Sequence, residues 1–136
     1  MDSVLRDEML HYEMYDPSVV HLVNMTPHEI TLVGENGEIV LRIPPSGTVA
    51  RCREEIEDCG TVTAGPWGPA VRIYRRRIGE IEGLPEPQFR TLYIASALVA
   101  HAAWALGRRD VVHPGELVRD AEGRVVGCRG LVVAPE

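Results

Sequence analysis

Four arginines in this chain, Arg51, Arg53, Arg119 and Arg129, lie on short stretches of extended character or directly beside glycines. A guanidinium is a planar, permanently charged fork that meets the oxygens of a phosphate or carboxylate in pairs. Pro45-Ser46-Gly47-Thr48 offers hydroxyls and backbone N–H groups of the same use. The chemistry these residues point to is capture of a small phosphorylated ligand, with Arg51, Arg119, Arg129, Ser46 and Gly47 as the candidate binding residues. The competing role is ion pairing with Glu54, Glu55, Glu57, Asp58 and Asp120 on the surface, which contributes little to stability. A net charge of -6 restricts such a cluster to a local pocket. Broad binding of DNA or RNA needs a basic face that neutralises phosphates.

Other chemistries find less to work with. His11, His21, His28, His101 and His113 are scattered, and the spacing of Cys52 and Cys59 matches no common zinc site. No dinucleotide-binding glycine pattern or Walker loop occurs. Ser46 lacks the Gly-x-Ser-x-Gly frame of a nucleophile elbow, and Ser96 is placed to cap a helix. Cys128, next to Arg129, has the plainer role of a small buried strand residue. No spacing picks out a carboxylate dyad. The expectation is a binding protein without catalytic residues, cofactor or metal. Arg75-Arg76-Arg77 reads as the charged edge of a strand, since aromatic residues to stack RNA bases are few.

The elements that must position these residues are mostly strands. Val19 to Met25 is rich in β-branched residues. Glu29 to Val33 and Glu38 to Ile43 form a hairpin around Glu35-Asn36-Gly37. Pro44-Pro45-Ser46-Gly47 breaks the sheet, and Val49 to Arg53 resumes it before the acidic run Glu54 to Asp58, read as a solvated loop or edge. Gly65-Pro66-Trp67-Gly68-Pro69 is a rigid connection to the alternating strand Ala70 to Arg75. Thr91 to Ile94 is a compact strand. Ser96 then caps a helix over Ala97 to Leu106, with Gly107 at its C-terminal end. That helix has almost no polar face, so the domain, or the domain with a second subunit, must bury it. Leu117 to Arg119 and Arg124 to Val126 form a second hairpin, and Leu131 to Val133 a last strand. A short helix is expected over Ser3 to Tyr15.

The 136 residues suit one core, divided as an N-terminal extension over 1–18 and a single domain over 19–136. The fold class expected is α+β: mainly antiparallel sheet or a partly closed barrel, one buried apolar helix, and the short N-terminal helix. No apolar run reaches the roughly 20 residues of a membrane span. The acidic start, Met1 to Glu8, is unlike a signal peptide, so the expected location is the cytoplasm. Three cysteines cannot all pair and are read as reduced thiols; a Cys52–Cys59 bridge would fit a hyperthermophilic host. All 14 basic residues are arginine and none is lysine, which points to a GC-rich genome.

Several spaced signatures carry a resemblance: Leu22-Val23-Asn24-Met25-Thr26-Pro27-His28, Pro44-Pro45-Ser46-Gly47, Val49-Ala50-Arg51 and Gly83-Leu84-Pro85-Glu86-Pro87. Leu92-Tyr93-Ile94-Ala95-Ser96, Val118-Arg119-Asp120 and the run Gly123 to Arg129 extend it. On these residues the chain resembles a family of small uncharacterised proteins carried by bacteriophages, prophages and archaeal viruses. The likeness runs from residue 22 onward and is weakest over 56–77. It brings no catalytic residues; it implies a virus or provirus of a GC-rich, thermophilic host. A looser likeness, of size, viral context and arginine-rich strands, is to small phage proteins that sequester cyclic-nucleotide signals. The resemblance implies an accessory protein that binds a small phosphorylated ligand or a host protein; the apolar helix adds the expectation of a homo-oligomer. The alternative is a structural or protein-interaction module with no small-molecule ligand.

Overall fold

The computed structural model describes residues 19–133; the helix expected over Ser3 to Tyr15, and His11, lie outside them. In chain order the elements are β1 (His21–Asn24), β2 (Ile30–Val33), β3 (Ile39–Ile43), β4 (Arg51–Thr63), β5 (Ala70–Glu82), β6 (Thr91–Ile94), α1 (Ala97–Ala105), β7 (Val111–Arg119) and β8 (Val125–Val133). Six strands form one sheet in the order β1-β6-β7-β8-β2-β3, and β4 pairs with β5 in a separate two-stranded ribbon. The fold is therefore α+β. The sheet is mixed: β1 with β6, β6 with β7 and β2 with β8 are parallel, while β2–β3 and β7–β8 are antiparallel hairpins.

Local chemistry explains the hairpins. Gly37 takes φ 81° in the β2–β3 turn, a left-handed conformation that costs glycine nothing. In the β7–β8 turn the Asp120 carboxylate accepts hydrogen bonds from the backbone N–H groups of Glu122 and Arg124. The parallel neighbours β6 and β7 need a crossover, and α1 supplies it.

The sheet curls until its two edges meet. The Asn24 side chain, at the end of β1, donates to the Ile43 carbonyl at the end of β3 (3.0 Å). Ile30, Ile43, Ile94, Val112 and Cys128 come from five strands and form one buried cluster on the inside of this curl. That is the partly closed barrel. A second cluster lies outside it, where Val99, Ala100 and Ala103 of α1 pack on Met25, Tyr93 and Val111.

Burial of the helix is one-sided. Leu98, His101, Ala105 and Leu106 are exposed, Leu106 at 72%. The expected burial on all sides is not achieved within one chain, because β4 and β5 touch α1 at their base and then leave it.

The acidic run Glu54 to Asp58 is not a loop. It lies inside the 13-residue β4, because the arginine run sits across from it on β5: Glu55 pairs in register with Arg77, Ile56 with Arg76 and Glu57 with Arg75. Opposite charges on facing strands hold this ribbon in register. All three cysteines are free thiols. A Cys52–Cys59 bridge is impossible here: seven residues along one extended strand separate them by about 23 Å, against the roughly 7 Å limit for a disulfide.

Candidate functional site

β1 and β6 run parallel and end side by side, at Asn24 and Ile94. The chain leaving β1 makes a tight loop held by the Asn24 amide, which is 1% exposed. Asn24 Oδ1 accepts from the Thr26 backbone N–H (2.9 Å) and hydroxyl (2.7 Å), while Nδ2 donates to the carbonyls of His28 (2.8 Å) and Ile43. The chain leaving β6 turns into α1 through Ser96, whose Oγ accepts from the Val99 N–H (3.3 Å) as an N-cap. Between these two loops and the start of β4 lies a hollow of about 320 Å³. Met25, Thr26, Arg51, Cys52, Ser96 and Leu98 are among its lining residues.

Three of its features favour an anion. The first-turn N–H groups of α1 have no acceptor within the helix, and the helix end carries partial positive charge. Ser96, whose hydroxyl proton is free, is among the lining residues. The Arg51 side chain is exposed and has no ion-pair partner among the described residues. The position also follows a general rule of sheets with parallel strands, whose ligands gather beyond the carboxyl ends.

The other candidate residues are distributed differently. Ser46 and Gly47 do not line the hollow; the Ser46 N–H donates to the Asn24 carbonyl (2.9 Å) and its hydroxyl reaches Met25 Sδ (3.6 Å). Arg119 spends a guanidinium N–H on the Gly123 carbonyl (2.9 Å), closing its own hairpin. Arg129 is exposed on β8 and does not line the hollow. The three arginines are thus not brought together. Thr26 and Ser96, read from the sequence as a turn residue and a cap, belong to the site. The signal that marks them is their position just past the ends of two short apolar strands.

The thiols are poor nucleophiles. Burial, and then the nearby Glu54 carboxylate, push the Cys52 thiol up, and burial raises Cys128. Both stay protonated at neutral pH, where a nucleophilic cysteine needs the thiolate. A second hollow of about 360 Å³ shares Thr26 and is lined by His28, Glu29, Leu117, Val126 and Cys128. With a carboxylate and no arginine in its wall it does not suit an anion. Among the described residues no three His, Cys, Asp or Glu side chains cluster as metal ligands would. No described helix is long and apolar enough to cross a membrane.

No protein-family model, curated protein or solved structure matches the chain.

Proposed function

We propose that this chain is a non-enzymatic accessory protein of a virus or mobile element, acting in the host cytoplasm by holding a small phosphorylated, nucleotide-like ligand. The observation that carries this reading is that Arg51, which has no ion-pair partner among the described residues, lines the hollow beyond β1 and β6 together with Ser96 at the start of α1. Arg51 supplies the charge-assisted bonds, and the Ser96 hydroxyl and the N–H groups of Ala97 and Leu98 complete an anion cradle. About 320 Å³ lies at the small end of ligand pockets, which fits one nucleotide unit. A Cys52 thiol pushed up by burial, in a wall whose described residues pair no acid with a base, favours capture and release over chemistry.

Thermal unfolding in the presence of cyclic nucleotides and nucleoside monophosphates tests it. Saturation at about 100 times Kd adds about 2.7 kcal/mol, a rise of several degrees in Tm. The shift is expected to vanish in Arg51→Ala while the ligand-free Tm stays put, and to persist in Arg119→Ala and Arg129→Ala. No shift with any of these ligands at millimolar concentration sinks the proposal. A second reading, a protein-interaction module, is favoured by a different observation: the ribbon formed by β4 and β5 exposes large apolar side chains.

A further inference from the structure

His101 on α1 and His113 on β7 bring their rings together, with centroids 5.7 Å apart and planes inclined at 73°. Strand alternation accounts for the meeting. Val111 packs on α1, and His113, two residues further along β7, leaves the same face of the strand. Pairing with β6 stops at Val112, so the His113 ring is only half-buried. On the helix, His101 belongs to the side that the chain leaves exposed. The neighbouring backbone fixes the tautomer of His113. Its Nδ1 lies 3.0 Å from the Pro114 carbonyl oxygen, which can only accept. Nδ1 therefore carries the proton, and the Nε2 lone pair of the neutral ring is left free.

Two imidazoles so placed form a chelating pair for a borderline divalent metal ion. A metal-ligating histidine characteristically donates its other ring N–H to a carboxylate or backbone carbonyl, as His113 does to Pro114. The separation fits as well. With metal–nitrogen bonds of about 2.0–2.1 Å and ring nitrogens about 1.1 Å from the centroids, two imidazoles on one ion hold their centroids about 5–6 Å apart. The observed 5.7 Å falls inside that interval, so an ion is accommodated without moving the helix against the strand. Among the described residues no third His, Cys, Asp or Glu side chain joins the pair. Mg²⁺ and Ca²⁺, which take oxygen ligands, therefore find nothing to hold them here. Water reaches His101 and completes the coordination.

We propose that His101 and His113 bind one divalent ion of the Ni²⁺, Cu²⁺ or Zn²⁺ class and so staple the exposed side of α1 to β7. The site shares no residue with the hollow at Arg51 and does not rest on the nucleotide reading. Titration calorimetry of the full chain with Ni²⁺, and with Mg²⁺ as control, tests it. Ni²⁺ is the probe because Cu²⁺ oxidises thiols, of which the chain has three free. Amide NMR spectra locate the ion, since paramagnetic Ni²⁺ broadens the signals nearest to it. Wild type is expected to take up one Ni²⁺ per chain at submillimolar metal, to ignore Mg²⁺, and to lose first the signals around His101 and His113. His101→Gln, at an exposed helical position, and His113→Gln should each weaken uptake about tenfold or more, because the second imidazole binds the same ion intramolecularly. His21→Gln and His28→Gln should leave it unchanged. A wild-type chain that takes up no Ni²⁺ at millimolar metal overturns the proposal. So does uptake that survives His101→Gln undiminished in a chain whose circular dichroism matches wild type, or broadening centred on His21 or His28 alone.

Discussion

The barrel and the ribbon settle their polar groups in opposite ways. In the barrel a few polar side chains are taken out of water and fully partnered: Asn24 makes four hydrogen bonds at 1% exposure. Arg108 and Asp110, each 19% exposed, form a two-pronged pair at 2.8 Å. In the ribbon the pairs are many and wet, with side chains 41–70% exposed in Arg53–Glu82, Arg76–Glu54 and Arg77–Glu57. Desolvated groups are costly to orphan, whereas exposed ion pairs are nearly neutral. The barrel's stability, set mainly by its two apolar clusters, is therefore also sensitive to a handful of buried polar contacts. The ribbon uses its charges for register and solubility.

Asn24→Leu tests the first half and has the largest expected effect. Leucine fills the space but leaves the Ile43 carbonyl and the Thr26 N–H without the Asn24 amide, while the His28 carbonyl keeps the Thr26 hydroxyl (3.0 Å). At about 1–3 kcal/mol for each buried group left unpaired, partly relieved by water at the exposed ones, the loss is about 3 kcal/mol. Urea denaturation reads it as a lower midpoint at unchanged slope. A loss below about 1 kcal/mol would break the comparison. The same substitution loosens the Thr26 wall of the proposed site, so nucleotide-induced stabilisation should fall with it.

Arg108 and Asp110 come next. Arg108 also donates to the Pro85 carbonyl (2.9 Å), tying the Gly83–Pro87 loop to the start of β7. The hydrogen bond from Arg108 is the main cause that holds the Asp110 carboxyl below its ordinary value. A carboxyl depressed in the folded state binds fewer protons than in the unfolded chain, so stability rises with pH through that interval. The contribution is complete above the ordinary carboxylate range and is lost as pH falls through the depressed folded value. Asp110→Asn should cost about 1–2 kcal/mol at neutral pH and flatten the acid limb of the stability profile. An unchanged acid limb would show that other carboxylates govern it.

What the sequence discloses divides along the same line. Signals contained within a few residues are legible: Asn36-Gly37 for β2–β3, Ser96 and Gly107 for the ends of α1, Asp120 to Gly123 for the β7–β8 turn. Arg51 is legible as the start of a strand, because it follows the break at Pro44 to Gly47. The length of β4 and β5 is not, since Glu54 to Asp58, solvated in either case, is a strand and not a loop only because Arg75 to Arg77 face it. Nor is the dispersal of Arg119 and Arg129. Which strand lies beside which depends on the parallel pairings of β1, β6 and β7, and these leave no local mark. Gly83 shows the same limit: at φ 84°, a Cβ there would come within 2.6 Å of the Val49 carbonyl oxygen, so the glycine lets the chain leave the ribbon beside the start of β4. Nothing in Glu82-Gly83-Leu84 announces that neighbour.

The smallest expected effect sharpens the comparison from the ribbon side. Arg77 Nη2 stands 2.8 Å from Glu57 Oε2, as close as the Arg108–Asp110 pair, yet the two side chains are 59% and 45% exposed. If geometry alone set the value of an ion pair, the two would be equal. Solvent decides otherwise: water competes for both partners, salt screens them, and ordering two long side chains costs entropy. Arg77→Gln, Glu57→Gln and the double variant should show a coupling of about 0.5 kcal/mol or less. That coupling should shrink further in about 1 M salt, where the Debye length is near 3 Å. A coupling of 2 kcal/mol that resists salt would mean that the ribbon is dry in the single chain. The contrast between a ribbon held in register and a barrel held in stability would then fail.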